Sequence, residues 1–205
     1  HVDDLKLSHK DPKVVSRMIS YLRGLYEKLP NGEIKKMSVQ RGKKLDYLGM
    51  KFDLTTDGEV SITMPHHVEK SIKEFPGKLR NKGLSSPNTD KLFEIRADAK
   101  DLDPEHAATF HRVVALLLYL SKRARPDLAP AVPFLTTRVT KPTEDDWKKL
   151  KRVLQYLRGT IDLCLILGAD NITKAKAWVD VSYAVHNDCK SHTGGCMSWG
   201  WGVVL

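Results

Sequence analysis

The chain has 205 residues, 41% of them hydrophobic, which is enough apolar surface to bury a core and excludes wholesale disorder. Thirty-four Lys and Arg against 25 Asp and Glu leave a net charge of +9, a balance that attracts polyanions, nucleic acid first among them, through a salt-dependent field. The longest uninterrupted apolar run, Val113 to Leu120, falls far short of the roughly 18 residues a membrane span needs. Cys164, Cys189 and Cys196 form neither a CxxC pair nor a Cys/His cluster, which argues against a disulfide framework or a zinc site and fits a reducing compartment. The opening HVDDLKLSHK has neither an initiator Met nor an apolar signal core, as expected of a processed terminus or a piece of something longer.

In chain order, Asp11-Pro12 is a cap followed by a first-turn proline. Val14, Val15, Met18, Ile19, Leu22, Leu25, Tyr26 and Leu29 then recur at helical spacing, which predicts a helix over 12–29. Pro30-Asn31-Gly32 ends it, and 33–40, 44–54 and 59–64 read as strands of a small antiparallel meander, the last two joined across Thr56-Asp57-Gly58. Pro65 opens a second helix to about residue 75. The polar, weakly periodic stretch to about residue 102 reads as a linker. A third helix begins at Pro104 with an apolar centre that predicts burial on several sides. Residues 127–139 read as a helix interrupted at Pro130 and Pro133. Residues 143–158 read as another, capped by Thr143 with Asp146 and closed by Gly159. Strands are predicted over 163–167 and 174–181, and a hairpin strand or two over 194–204. Helices and antiparallel strands in separate runs predict an α+β fold rather than a doubly wound parallel sheet.

Three places carry candidate chemistry. Adjacent carboxylates such as Asp3 and Asp4 repel unless a cation lies between them, and hard oxygen ligands suit a divalent ion; such pairs are also common in turns and helix caps, and by itself this pair favours that role. Asp180 closes the apolar strand AWVD, but one carboxylate cannot hold the two ions of metal-assisted phosphoryl chemistry. Ser182, Tyr183 and His186 make no nucleophile system. On the helix over 143–158, Lys148, Lys151, Arg152 and Gln155 share one face opposite Trp147, Leu150, Val153, Leu154 and Leu157. That face is either a phosphate-contacting stripe or a solvated surface, and Lys70, Lys73, Lys78, Arg80 and Lys82 would extend it.

Taken in order, these segments resemble a known family. HVDDLKLS resembles the YVDD-type palm motif of reverse transcriptases, and KKLDYLGMKFDLTTDGEVSITM resembles the segment that follows it in copia-type LTR retrotransposons. FHRVVALLLYLSKRARPDLAPAVPFL and PTEDDWKKLKRVLQYLRGTIDLCLIL are similar to the stretch between polymerase and ribonuclease H. AWVDVSYAVHNDCKSHTGGCMSWGWG is similar to the start of the ribonuclease H domain. The resemblance implies the end of a polymerase palm over 1–64, a thumb-like helix and linker over 65–102, a helical connection over 103–167, and the first strands of a ribonuclease H-like domain over 174–205. It implies an RNA-directed DNA polymerase and ribonuclease H acting through two divalent ions, magnesium or manganese. Asp3, Asp4 and Asp180 would be the catalytic and metal-binding carboxylates. The partners it implies are a template–primer or RNA–DNA hybrid, with Lys70, Lys73, Lys148, Lys151 and Arg152 against its backbone, and deoxynucleotides, without a membrane.

The resemblance further implies a cytoplasmic-particle and nuclear setting. An upstream palm Asp and the later ribonuclease H carboxylates are expected outside these 205 residues, so the isolated chain is expected to be inactive. His1 stands where the family has Tyr, Ala124 where it has Thr, and Val114 where Gly is common. A non-catalytic basic nucleic-acid-binding module and a decayed genomic relic are the alternative readings.

Overall fold

A computed structural model describes residues 4–80, 82–183 and 191–204. Val2, Asp3, His186 and Cys189 lie outside the described residues. Helix α1 (Pro12–Tyr26) starts where the cap predicts, with the Asp11 carboxylate accepting the Lys13 N–H at 2.8 Å. It stops three residues earlier than its periodicity suggests. Lys28 and Ile34 form an antiparallel bridge across the Pro30-Asn31-Gly32 turn, and the Glu27 carboxylate accepts the Met37 N–H. That bridge is all the strand structure the 33–40 segment has, a correction to the sequence reading.

The strand expected over 44–54 is a hairpin: β1 (Lys44–Tyr47) and β2 (Met50–Asp53) pair antiparallel around Leu48-Gly49. Both turn residues have positive φ, 52° and 74°, as a two-residue hairpin of right-handed twist requires. Leucine is a poor residue for that conformation. The Leu48 carbonyl is tied down by the Tyr119 hydroxyl, which donates to it at 2.8 Å.

β3 (Glu59–Thr63) pairs with β2 and, on its other side, with β4 (Leu165–Ala169), which pairs with the short β7 (Gly200–Trp201). The sheet order is β1-β2-β3-β4-β7, antiparallel throughout. β5 (Lys176–Ser182) and β6 (His192–Ser198) form a separate two-stranded sheet. α2 (Pro65–Lys73), α3 (Pro104–Ser121), α4 (Ala131–Thr137) and α5 (Glu144–Arg158) supply most of the core. The helix expected over 127–139 is a 3-10 turn at Pro126–Leu128 and then α4, separated at Ala129-Pro130; the second expected interruption does not occur, because Pro133 lies in the first turn of α4, where a missing N–H forfeits no helical bond. α3 lies at the centre, with Phe110, Val113, Leu117 and Leu120 inaccessible to solvent. Val114 and Ala124, two of the three departures from the family pattern, are both buried in the same core. The architecture is α+β. No described helix is long and apolar enough to cross a membrane.

Asp53 fastens the first hairpin at its open end. Its carboxyl is held down to about 2 by the Thr55 hydroxyl and N–H and by Lys44, whose ammonium lies 3.1 Å away across the strand pair. A carboxyl lowered in the folded state adds stability above its unfolded pKa, about 3.9, and loses it as pH falls through the folded value. Asp53→Asn is therefore expected to lower the urea midpoint at pH 6, with the deficit shrinking from pH 4 downward and vanishing near pH 2. A pH-independent deficit would show that the carboxylate's charge is not involved.

Candidate nucleic-acid interface

The candidate carboxylates do not converge among the described residues. Asp4 is exposed, and its main-chain carbonyl lies 3.5 Å from the Tyr47 hydroxyl. Asp180 is exposed on β5, opposite Gly194 in the β5–β6 register, and its carboxylate accepts the N–H of the next residue, Val181, at 3.0 Å. Among the described residues no group of three or more His, Cys, Asp or Glu is placed to hold a metal ion. A divalent ion in phosphoryl transfer needs several oxygen ligands fixed around it, so the described side chains do not fit one.

The candidate basic residues lie on elements that pack against one another. The capping box of α5 forms as its sequence predicts: Thr143 Oγ1 accepts the Asp146 N–H, and the Asp146 carboxylate accepts the Thr143 N–H and hydroxyl. Leu150, Val153, Leu154 and Leu157 are fully buried on the inner side. α2 packs on α5, with the Phe75 and Trp147 rings 4.7 Å apart where the end of α2 meets the start of α5. From there residues 76–80 and 82–94 run as a strap along α5. Lys148 and Lys151 are exposed on α5, Lys70 and Lys73 on the last turns of α2, and Lys78, Arg80 and Lys82 on the strap. These seven exposed cations thus lie on two helices and a strap that pack against one another.

The lower half of the predicted cationic face serves another purpose. Gln155, placed by its spacing beside Lys148 and Lys151, is only 5% exposed, because the strap covers the helix there. Its Oε1 accepts the Arg80 N–H at 2.6 Å, and its Nε2 donates to the Arg80 and Lys82 carbonyls at 2.6 and 2.7 Å. Arg152 is half-buried and donates to the Asn88 carbonyl at 3.1 Å. Arg158 donates to the Leu79 carbonyl at 3.1 Å, and Lys149 to the Glu94 carbonyl. In the stretch expected to be a polar linker, these side chains bond six main-chain groups in place of a ladder. Through Nε, Arg152 fastens the strap to α5.

Gly159 closes α5 as expected, with φ −84°, so conformational freedom is not its purpose. A Cβ there would meet Gly83 Cα at 2.7 Å, and one on Gly83 would meet Gly159 Cα at 2.5 Å. The glycine pair lets the strap touch the helix end. A polar residue flanked by Leu154 and Tyr156 in an otherwise apolar turn was the available signal for Gln155; nothing local marked its partners.

The chain is 25% identical over 199 residues to a Saccharomyces cerevisiae protein assigned to transposon Ty5-1, covering 95% of this chain and 59% of that protein. It is 23% identical over its whole length to 15% of the retrovirus-related Pol polyprotein from transposon TNT 1-94 of Nicotiana tabacum. A 107-residue stretch, 52% of the chain, is 38% identical to 7% of the corresponding polyprotein from transposon RE2 of Arabidopsis thaliana. This chain is a homologue of retrotransposon Pol proteins. The resemblance to copia-type Pol read from the motifs is upheld by these relatives, of which the Pol homologue spans from 7% to 59% of the length. No protein-family model and no solved structure matches it.

Proposed function

We propose that this Pol homologue is a segment running from the end of a polymerase palm, through a thumb-like helix and a helical connection, into the first strands of a ribonuclease H-like domain. Its own work is to hold the phosphate backbone of a template–primer or RNA–DNA hybrid. The observation that carries this reading is the basic surface made jointly by α2, the strap and α5, where exposed Lys70, Lys73, Lys78, Arg80, Lys82, Lys148 and Lys151 lie on elements packed against one another. Such a surface binds by releasing counterions from the nucleic acid, independently of sequence. In a complete polymerase or ribonuclease H, divalent ions such as magnesium or manganese would activate the attacking oxygen and stabilise the leaving one. The described carboxylates Asp4 and Asp180 stand apart from the basic surface's elements, on the segment before α1 and on β5.

The test uses the 205-residue chain with a labelled RNA–DNA hybrid. Expected are binding that weakens steeply with salt, no change in that binding for Asp4→Ala or Asp180→Ala, and no magnesium-dependent nucleotide incorporation or hybrid cleavage. Magnesium-dependent turnover abolished by Asp180→Asn would overturn the binding-only assignment.

A further inference from the structure

We propose that Gln155 is a positioning residue for nucleic acid: its amide clips the strap to α5 so that Lys78, Arg80 and Lys82 stand as a fixed cationic row against a phosphodiester backbone. The inference rests on the nucleic-acid reading above and adds which residues form the row and what holds it.

Four observations converge. Burying a side-chain amide is unfavourable unless its hydrogen bonds are made, and Gln155 lies in a turn where Val153, Leu154, Tyr156 and Leu157 are all buried. An apolar residue would fill that place; what the amide adds is direction, since all three of its hydrogen bonds go to main-chain groups of the strap. Two of them take both the N–H and the C=O of Arg80, which fixes that residue while its side chain stays exposed. On either side, Leu79 is held by Arg158, and Gly83 is pressed against Gly159.

The row itself is unusual in charge. Three exposed cations fall within five residues, with Cα atoms of alternate residues no more than about 7 Å apart. No Asp or Glu occurs between Glu74 and Asp90. Fixing like charges side by side is unfavourable in the free protein and favourable once a polyanion lies across them. A strap held in advance also spares the ordering that a loose loop would undergo on binding.

The experiment measures anisotropy of a 20-base-pair RNA–DNA hybrid with the full chain between 50 and 200 mM salt. It compares wild type, Gln155→Met, the triple variant Lys78→Gln/Arg80→Gln/Lys82→Gln, and the combination. The triple variant is expected to lower the log–log salt slope by about 0.9 per lost contact. Gln155→Met is expected to weaken binding about tenfold in the wild-type background and not at all in the triple-variant background. A loss of equal size in both backgrounds assigns Gln155 a merely structural role and overturns the proposal. The triple variant alters only exposed side chains, so an unchanged slope there overturns it even if Gln155→Met fails to fold. Wild-type protein that does not bind the hybrid at 50 mM salt removes the nucleic-acid reading itself; wild-type binding with an unaffected Gln155→Met removes only the clip.

Discussion

Replacing Arg125 by alanine is expected to destabilise the fold by about 3–5 kcal/mol, the usual cost of breaking a buried ion pair from one side. In a chain of this size that lowers Tm by about 6–20 °C. Arg125 is 2% exposed and is the largest fully buried side chain. Its guanidinium grips the Asp127 carboxylate through Nε at 3.0 and 3.2 Å and Nη2 at 2.8 Å. It also donates to the Thr160 carbonyl and hydroxyl, each at 2.8 Å. Tyr156 closes the network by donating to Asp127 at 2.8 Å; burial, reinforced by that carboxylate, pushes its phenol up. The ARPD stretch, which resembles a family motif, therefore locks the turn after α3 to the end of α5. Arg125→Lys keeps the charge but loses the planar fork, so it is expected to recover less than half of the lost stability. Thermal melts of the three proteins check this, and an Arg125→Ala melt within 2 °C of wild type would show that the network is dispensable.

Substituting Lys70, Lys73, Lys148 and Lys151 together by Gln is expected to reduce the salt slope of hybrid binding by about 3–4. The matched control replaces Lys10, Lys13, Lys28 and Lys36, equally exposed but on or beside α1 and its following turn, and removes the same net charge. If binding follows local contacts, the first set changes the slope and the second leaves it nearly unchanged. If it follows net charge alone, both sets fall together. Titrations at four salt concentrations separate the two outcomes, and equal losses would return the basic surface to an ordinary solvated face.

What was legible in the sequence was local. Asp11, Asp103 and Thr143 each sit one residue before a helix and bond its first free N–H groups, so three helix starts follow from a few adjacent residues. The Thr56-Asp57-Gly58 turn was equally visible. The Leu48-Gly49 turn was not, because leucine is no turn signal and holds positive φ through a hydroxyl 71 residues away. The pairing of β3 with β4 joins Glu59 to Gly168 across about half the chain, and no periodicity reports such a partner.

The site divides in the same way. Lys148 and Lys151 are exposed as their helical spacing demands, whereas Gln155 obeys the same spacing and is buried, because the strap covers it at Arg80 and Lys82. Asp180, expected at a strand end, lies within β5, which pairs only with β6 among the described residues, and no described group of three or more His, Cys, Asp or Glu includes it.

The central claim is that the face formed by α2, the strap and α5 meets nucleic acid. The most direct measurement is lysine reactivity, by brief acetylation and mass spectrometry, with and without saturating RNA–DNA hybrid. The account predicts protection of Lys70, Lys73, Lys78, Lys82, Lys148 and Lys151, with Lys10, Lys13, Lys28 and Lys36 reacting as in the free protein. Protection spread evenly over both sets, or confined to the second, would contradict it.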